Sequence, residues 1–141
     1  MKRTATAAWS GDLAGGKGAM STHSGALEEL PFSFATRFED APGTNPEELL
    51  GAAHAGCFSM AFSHELAQAG LAPERVATTA TVTLDKVEGG FAISAMHLDT
   101  EARVPGADEA RVREIGEAAK AGCPVSKALS VDITLHLAVH V

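Results

Sequence analysis

The sequence predicts an α+β fold with a mostly antiparallel sheet and a long, buried central helix. Residues 131–141 alternate apolar and polar side chains, as a half-buried strand does. Residues 46–69 have helical start and stop signals and contain no charged residue from Leu49 to Phe62. Grouped strands beside two helices are typical of the α+β class. The 141 residues fit one domain, which we assign to 1–141.

The first part of the chain is predicted to form three strands. Residues 2–9 give the first strand, and the segment from Ser10 to Gly18, which holds four glycines, indicates a turn. Residues 18–24 and 31–38 give the next two strands. Three phenylalanines of the third strand are expected to share one face: Phe32, Phe34 and Phe38.

The central helix is predicted to begin at Pro46 and to end near Gly70. Asn45 is a suitable N-cap, and Glu48 follows it by three residues as in a capping box. A helix that is apolar all round is buried on all sides. Small residues in its centre permit close helix–helix approach: Gly51, Ala52, Ala53, Ala55 and Gly56. We therefore expect it to pack against a copy of itself.

The remaining elements are a hairpin, a helix and a strand, at 75–87 with 91–104, at 108–121 and at 131–141. Gly89-Gly90 marks the hairpin turn. The apolar residues of the second hairpin strand change phase along its length, which predicts a bulge near Ser94–Met96. The helix is amphipathic and stops at Gly122.

Charge and composition argue against several classes of partner. The net charge is −7 and no basic cluster is present, so we expect no nucleic-acid partner. No apolar region follows Met1-Lys2-Arg3 as in a signal peptide, and no stretch has the length of a membrane span. We therefore expect a cytoplasmic protein without membrane association. Two cysteines are too few for a disulfide scaffold, although they suffice for a redox pair.

Cys57 and Cys123 each have an inert and a reactive interpretation. Cys57, in the middle of the central helix, is either a small core residue or a nucleophile. A nucleophile there needs a nearby cation, because burial alone raises a thiol pKa. Cys123 is either an inert thiol in a turn or a mobile resolving cysteine. The carbonyl end of the preceding helix disfavours its thiolate, unless Cys123 caps a short helix that starts at Pro124. On balance, Cys123 is the poorer nucleophile.

Few other residues stand out by pattern. Arg37 ends a predicted strand, and Glu47 suits the dipole of the first helical turn, so neither needs a further role. His54 lies one turn before Cys57 and either lines a pocket or is a satisfied core histidine. The histidines and cysteines lack metal-ligand spacing, and the early glycines lack the lysine and helix of a phosphate-binding loop. We expect neither a metal nor a nucleotide cofactor.

Three segments nevertheless resemble one family: residues 33–39 (SFATRFE), 43–61 (GTNPEELLGAAHAGCFSMA) and 121–126 (AGCPVS). They are similar to the OsmC/Ohr group of osmotically inducible and organic-hydroperoxide-resistance proteins, and to its OsmC branch in particular. The resemblance implies an intertwined homodimer with two active sites at the subunit interface. It also implies a stress-response enzyme that reduces peroxides, organic hydroperoxides above all. An external dithiol, such as a lipoyl group, would regenerate its thiols without a further cofactor.

The resemblance assigns the peroxidatic role to Cys57, the resolving role to Cys123 and the activating role to Arg37, which Glu47 holds in place. Candidate residues for an apolar substrate pocket are Phe34, His54, Phe58 and Met60. Glu47 and Cys57 are ten residues apart on one helix, roughly 15 Å along its axis. We therefore predict that Arg37 and Glu47 of one subunit face Cys57 of the partner subunit.

Two rival functions remain open at the level of sequence. The two thiols could form a redox switch that changes a partner or ligand interaction without catalysis. They could also be inert groups in a structural dimer. Turnover of a hydroperoxide with a dithiol separates the first rival from a peroxidase, and rapid reaction of a single thiol at neutral pH excludes the second.

Overall fold

The computed structural model describes all 141 residues, which separate into two compact units, Met1–Leu49 and Leu50–Val141. The first unit has a three-stranded antiparallel sheet in the order β1-β2-β3. Its strands are β1 (Ala5–Ser10), β2 (Lys17–Thr22) and β3 (Leu30–Ser33). Gly18 of β2 lies opposite Phe32, and a Cβ there would collide with the Phe32 ring. The single-domain assignment for 1–141 stays a prediction.

A short helix, α1 (Phe34–Phe38), replaces the second half of the predicted third strand. Ser33 caps it: its side chain accepts a hydrogen bond from the Thr36 amide, and the Ser33 amide donates to the Thr36 hydroxyl. This reciprocal capping box turns the chain into a helix despite the alternating phenylalanines. Phe34 and Phe38 then lie one turn apart, whereas Phe32 packs against Trp9. The prediction that the three share a strand face is wrong.

The central helix, α2 (Pro46–Gln68), begins in the first unit and continues into the second. As predicted, Asn45 caps it by accepting from the Glu48 amide at 2.8 Å. One face is buried along its length, through His54, Phe58, Phe62 and Leu66. The opposite face is exposed and carries Ala52, Ala53, Gly56 and Met60. The expected burial on all sides is therefore not met within a single chain.

The second unit contains a mixed three-stranded sheet in the order β4-β5-β6. Strands β4 (Arg75–Val87) and β5 (Gly90–Arg103) form the predicted antiparallel hairpin. Thr83 pairs with Ala95 and Leu84 with Ile93, so Ser94 is the extra residue of the predicted bulge. Strand β6 (Asp132–His140) pairs with β5 in parallel. The sheets are therefore mostly antiparallel, with one parallel pairing.

Two further helices complete the second unit, α3 (Glu109–Gly122) and α4 (Pro124–Ala128). The core lies between α2, α3 and the sheet. It includes Phe58, Phe62, Leu66, Leu98, Val104, Val112, Ile115 and Leu137. At Gly116 of α3 a Cβ would lie 2.9 Å from Leu137 and 3.3 Å from Phe62, so α3 needs glycine there to pack this closely. Helices of the length and apolarity needed to cross a membrane are absent.

Candidate active site

The two cysteines meet in the second unit, although 66 residues separate them in sequence. Cys57 lies on α2, and Cys123 lies between α3 and α4. Their Sγ atoms are 3.2 Å apart, within sulfur hydrogen-bonding distance, and both are free thiols. Cys123 is fully buried, whereas Cys57 is partly exposed. A small approach of the sulfurs suffices to reach the bond length of a disulfide, about 2.05 Å.

The surroundings of the two thiols set their pKa values in opposite directions. Burial raises the pKa of Cys57, and a hydrogen bond from the Val125 amide offsets this only in part. Burial also raises the pKa of Cys123, but polar groups of Ser126, Cys57 and Val125 outweigh it and lower the pKa overall. The two sulfurs are in contact, so the pKa of each thiol depends on the protonation of the other.

The expectation that Cys123 is the poorer nucleophile rested on the carbonyl end of α3, unless Cys123 caps a short helix that starts at Pro124. Cys123 is the N-cap residue of α4, but its side chain makes no capping hydrogen bond. The relative nucleophilicity of the two thiols therefore stays a prediction. Because burial raises the pKa of Cys57, its activation requires a positive charge from elsewhere.

Arg37 and Glu47 form an ion pair within the first unit. Arg37 lies on α1, not at a strand end as predicted, and Glu47 lies in the first turn of α2. Glu47 Oε1 accepts from Arg37 Nε at 3.0 Å and from Nη2 at 2.7 Å. Glu47 is largely buried, so it fixes the plane of the guanidinium group. The pair uses Nε and Nη2, which leaves Nη1 for another acceptor.

A cavity of about 250 Å³ adjoins Arg37 in the first unit. Its lining is aromatic and aliphatic apart from Ser33 and the one cation: Trp9, Leu13, Phe32, Ser33, Phe34, Arg37 and Phe38. Such a lining suits a small ligand with a hydrocarbon body and one polar end. Of the four residues predicted for a substrate pocket, Phe34 lies here.

The other three predicted pocket residues have different surroundings. Phe58 and His54 are fully buried in the second unit, and Phe58 is part of its core. Met60 is 74% exposed on the apolar face of α2. Within the single chain, none of these three lines the cavity beside Arg37.

Ser126 is the residue of this region that the sequence interpretation missed. Its hydroxyl lies 2.9 Å from His54 Nε2, and both side chains are buried. Burial lowers the pKa of His54. His54 Nδ1 is also buried and has no hydrogen-bond partner. The only signal in the sequence is a serine three residues after Cys123, at the start of a short helix. No group of three or more potential metal ligands comes together.

The chain matches a family model described as OsmC-like protein over residues 38–137. It is 55% identical to Peroxiredoxin OsmC of Escherichia coli over 127 residues, covering 90% of this chain and 89% of the relative. It is 36% identical to the Organic hydroperoxide resistance protein of Xanthomonas axonopodis pv. citri over 99 residues, 68% of each chain.

Two solved structures are similar to this chain over nearly its whole length. The crystal structure of the organic hydroperoxide resistance protein OhrB of Bacillus subtilis has a TM-score of 0.70 and 28% identity to this chain, and covers 95% of it and 97% of its own length. The OsmC-like protein of Mycoplasma pneumoniae has a TM-score of 0.75 at 16% identity, covering 100% of this chain and 99% of its own. At that identity the likeness concerns the fold alone.

Proposed function

Because the chain belongs to the OsmC family, we propose that it is a cysteine-based peroxidase that reduces organic hydroperoxides to alcohols. Two of its relatives carry the names peroxiredoxin and organic hydroperoxide resistance protein. The observation that carries the proposal is the pair of free thiols with sulfurs 3.2 Å apart, one partly exposed and one buried. This is the arrangement that a peroxidatic and a resolving cysteine need.

The reaction takes three steps. The Cys57 thiolate attacks the distal peroxide oxygen; an S–O bond forms, the O–O bond breaks, and the departing alkoxide takes a proton to become the alcohol. The product on the protein is the Cys57 sulfenic acid. Cys123 then attacks the sulfenic sulfur and hydroxide leaves, which forms the disulfide and prevents further oxidation. An external dithiol reduces the disulfide by exchange, and a lipoylated protein is one candidate for this reductant.

Arg37 supplies the positive charge that Cys57 lacks, and a second subunit delivers it. Glu47 and Cys57 lie on one helix, and ten residues of helix span roughly 15 Å. We therefore assign Arg37 and Glu47 of one subunit to the same site as Cys57 of the partner subunit. The exposed apolar face of α2, centred on Gly56 and Met60, is the surface on which the two copies pack. Its small residues allow the two helices to approach closely.

The cavity beside Arg37 supports an alkyl hydroperoxide as the substrate class. Its aromatic lining holds a hydrocarbon chain, and the guanidinium is placed to orient the peroxide oxygens. Hydrogen peroxide has no apolar part and gains nothing from this lining. We therefore expect a higher kcat/KM for alkyl hydroperoxides than for hydrogen peroxide.

Steady-state kinetics test the proposal. Cumene hydroperoxide and hydrogen peroxide are compared with dithiothreitol and then with a lipoylated protein as reductant, for the wild type and for Cys57→Ser. We expect turnover with the wild type, a preference for cumene hydroperoxide, and no turnover with the variant. Activity that survives in Cys57→Ser contradicts the assignment. Disulfide formation without repeated turnover favours the redox-switch alternative instead.

A further inference from the structure

Two large apolar side chains are exposed at the cavity beside Arg37. Leu13 lines the cavity and yet is 61% exposed, so it lies at the rim, where a bound molecule would cover it. Trp9 belongs to the same lining and is also exposed. A single exposed leucine is ordinary on a protein surface. An exposed leucine and tryptophan on one concave apolar surface are instead typical of a ligand pocket.

Trp9 holds the turn that carries Leu13. Its indole N–H lies within hydrogen-bonding distance of two carbonyl oxygens, 3.1 Å from that of Gly11 and 3.3 Å from that of Asp12. The Gly16 amide donates to the same Asp12 carbonyl at 2.9 Å. A Cβ on Gly16 would collide with this carbonyl and with the indole, so the turn packs directly on the ring. Leu13 is therefore held at the rim by a fixed turn.

The cavity also contains one fixed cation. The Arg37 guanidinium carbon lies over the Phe38 ring, 5.1 Å from its centroid, and Glu47 binds Nε and Nη2 of the same group. These contacts orient the guanidinium and leave Nη1 to donate to a ligand. An apolar lining with one oriented donor fits a molecule that has a hydrocarbon group and an oxygen-bearing end.

The volume of the cavity limits the size of this hydrocarbon group. An apolar cavity of about 150 Å³ holds a benzene molecule. The cavity beside Arg37 measures about 250 Å³, which is room for one aromatic ring with a few further carbons. A longer chain would extend past Leu13 into solvent, where additional carbons gain no burial.

We propose that Trp9 and Leu13 are specificity-determining residues, which pack against a compact aromatic or branched hydrocarbon group of the hydroperoxide while Arg37 binds its peroxide end. The inference rests on the proposed function, since that function supplies the hydroperoxide and the role of Arg37. Trp9 contributes the wall, together with Phe32, whose ring centroid lies 5.3 Å from that of Trp9. Leu13 contributes the rim that the substrate covers.

Kinetics with two substrates test the inference. Values of kcat/KM for cumene hydroperoxide and for hydrogen peroxide are measured for the wild type and for Leu13→Ala, with dithiothreitol as reductant. The substitution removes Cγ and both Cδ atoms, and burial of one methylene group changes an affinity about fourfold. We expect the ratio of kcat/KM for cumene hydroperoxide to that for hydrogen peroxide to fall at least about fourfold. An unchanged ratio overturns the inference.

Two further variants separate specificity from stability. Leu13→Met keeps an apolar side chain of similar volume and should keep the ratio within about twofold. Leu27→Ala is the matched control, because Leu27 is a half-buried leucine of the same unit that does not line the cavity. It should leave the ratio unchanged. Equal falls in Leu13→Ala and Leu27→Ala would assign the effect to the stability of the first unit and would contradict the inference.

Binding of a product alcohol gives a readout that needs no turnover. Trp9 is the only tryptophan and the chain has no tyrosine, so the intrinsic fluorescence reports on the wall of the cavity. Titration of the wild type with cumyl alcohol should change this fluorescence, and Leu13→Ala should raise the Kd at least about fourfold. A wild type without a fluorescence response, or an equal Kd in both proteins, overturns the inference.

The two measurements distinguish failure of the inference from failure of the proposed function. If the wild type reduces neither peroxide, the proposed function fails, and the Kd values for cumyl alcohol still decide whether Leu13 and Trp9 bind the hydrocarbon group. If the wild type turns over but the ratio is unchanged in Leu13→Ala, the peroxidase assignment stands and the inference fails. A second copy of the chain is the other candidate to cover the rim. Sedimentation would then show weaker self-association of Leu13→Ala at an unchanged ratio, which also overturns the inference.

Discussion

Replacing Glu47 with glutamine keeps the shape of the side chain and removes the charge that holds Arg37. Hydrogen bonds to charged groups contribute about 1.5–3 kcal/mol when shielded, whereas exposed ion pairs contribute about 0–1 kcal/mol. The Glu47 side chain is 10% exposed but the Arg37 side chain is 37% exposed, so solvent screens the pair. We expect Glu47→Gln to lower the free energy of unfolding by about 1 kcal/mol. For a chain of this size, that lowers Tm by about 4 °C.

The loss of activity should exceed this loss of stability. Glutamine has one acceptor oxygen, so the guanidinium loses its fixed plane, and a misplacement of about 1 Å in an active site costs up to about 100-fold in rate. We expect kcat/KM for cumene hydroperoxide to fall at least about tenfold, which is about 1.4 kcal/mol of transition-state stabilisation. Thermal unfolding and steady-state kinetics on the same preparations measure the two effects.

Glu48→Gln is the matched control for this experiment. Glu48 is the next residue, is exposed, and lies in the same first turn of α2, so the change in helix-terminal charge is the same. It should keep Tm within about 1 °C and kcat/KM within about twofold, because a surface substitution of this kind usually has a small effect. Equal losses in both variants would assign the effect to the helix dipole. An unchanged kcat/KM in Glu47→Gln would refute the role of the pair.

Three other substitutions test the remaining parts of the site. Cys123→Ser should allow one turnover and leave a sulfenic acid on Cys57 that a dimedone-type reagent traps; normal cycling with dithiol would show that another group resolves it. Arg37→Ala should move the pH midpoint of Cys57 alkylation upward, because burial alone raises the pKa of Cys57; an unmoved midpoint would mean that the thiolate gets its stabilisation elsewhere. Met60→Lys places a charge on the exposed apolar face of α2 and should weaken both self-association and turnover, as sedimentation and kinetics measure; a fully active wild-type monomer would contradict the dimeric site.

Elements that depend on local signals were predictable from the sequence. The N-cap of α2, the hairpin turn and the bulge at Ser94 each follow from a few neighbouring residues. Helix α1 was missed, although its cause is also local. The capping box of Ser33 and Thr36 stabilises a helical turn that the alternation of phenylalanines obscured. The sequence could not predict the parallel pairing of β6 with β5. The alternation of apolar and polar residues shows which face of a strand is buried, but not which strand it pairs with or in which direction it runs.

As in the fold, the parts of the site that depend on tertiary contacts could not be predicted from local sequence. The roles of Cys57 and Cys123 came from a resemblance between segments, since no spacing rule links thiols that lie 66 residues apart. Ser126 was missed because a serine becomes informative only when the fold buries it beside His54. The expectation that α2 is buried on all sides was not met within the single chain, because it too depends on tertiary packing. A run of uncharged small residues does not show whether the covering surface comes from the same chain or from another.

The acidity of Cys57 connects the pair of thiols to the formation of a dimer. In one chain, burial raises the pKa of Cys57. Peroxide attack by Cys57 needs the opposite effect, because the thiolate is the nucleophile. A positive charge about 4 Å from the sulfur stabilises its thiolate by about 4 kcal/mol at an effective dielectric constant of about 20, or about 3 pKa units. An arginine brought by a second subunit is therefore sufficient to offset the effect of burial on Cys57. Dimer formation then determines whether Cys57 can attack the peroxide, and Cys123, whose sulfur lies 3.2 Å away, closes the disulfide.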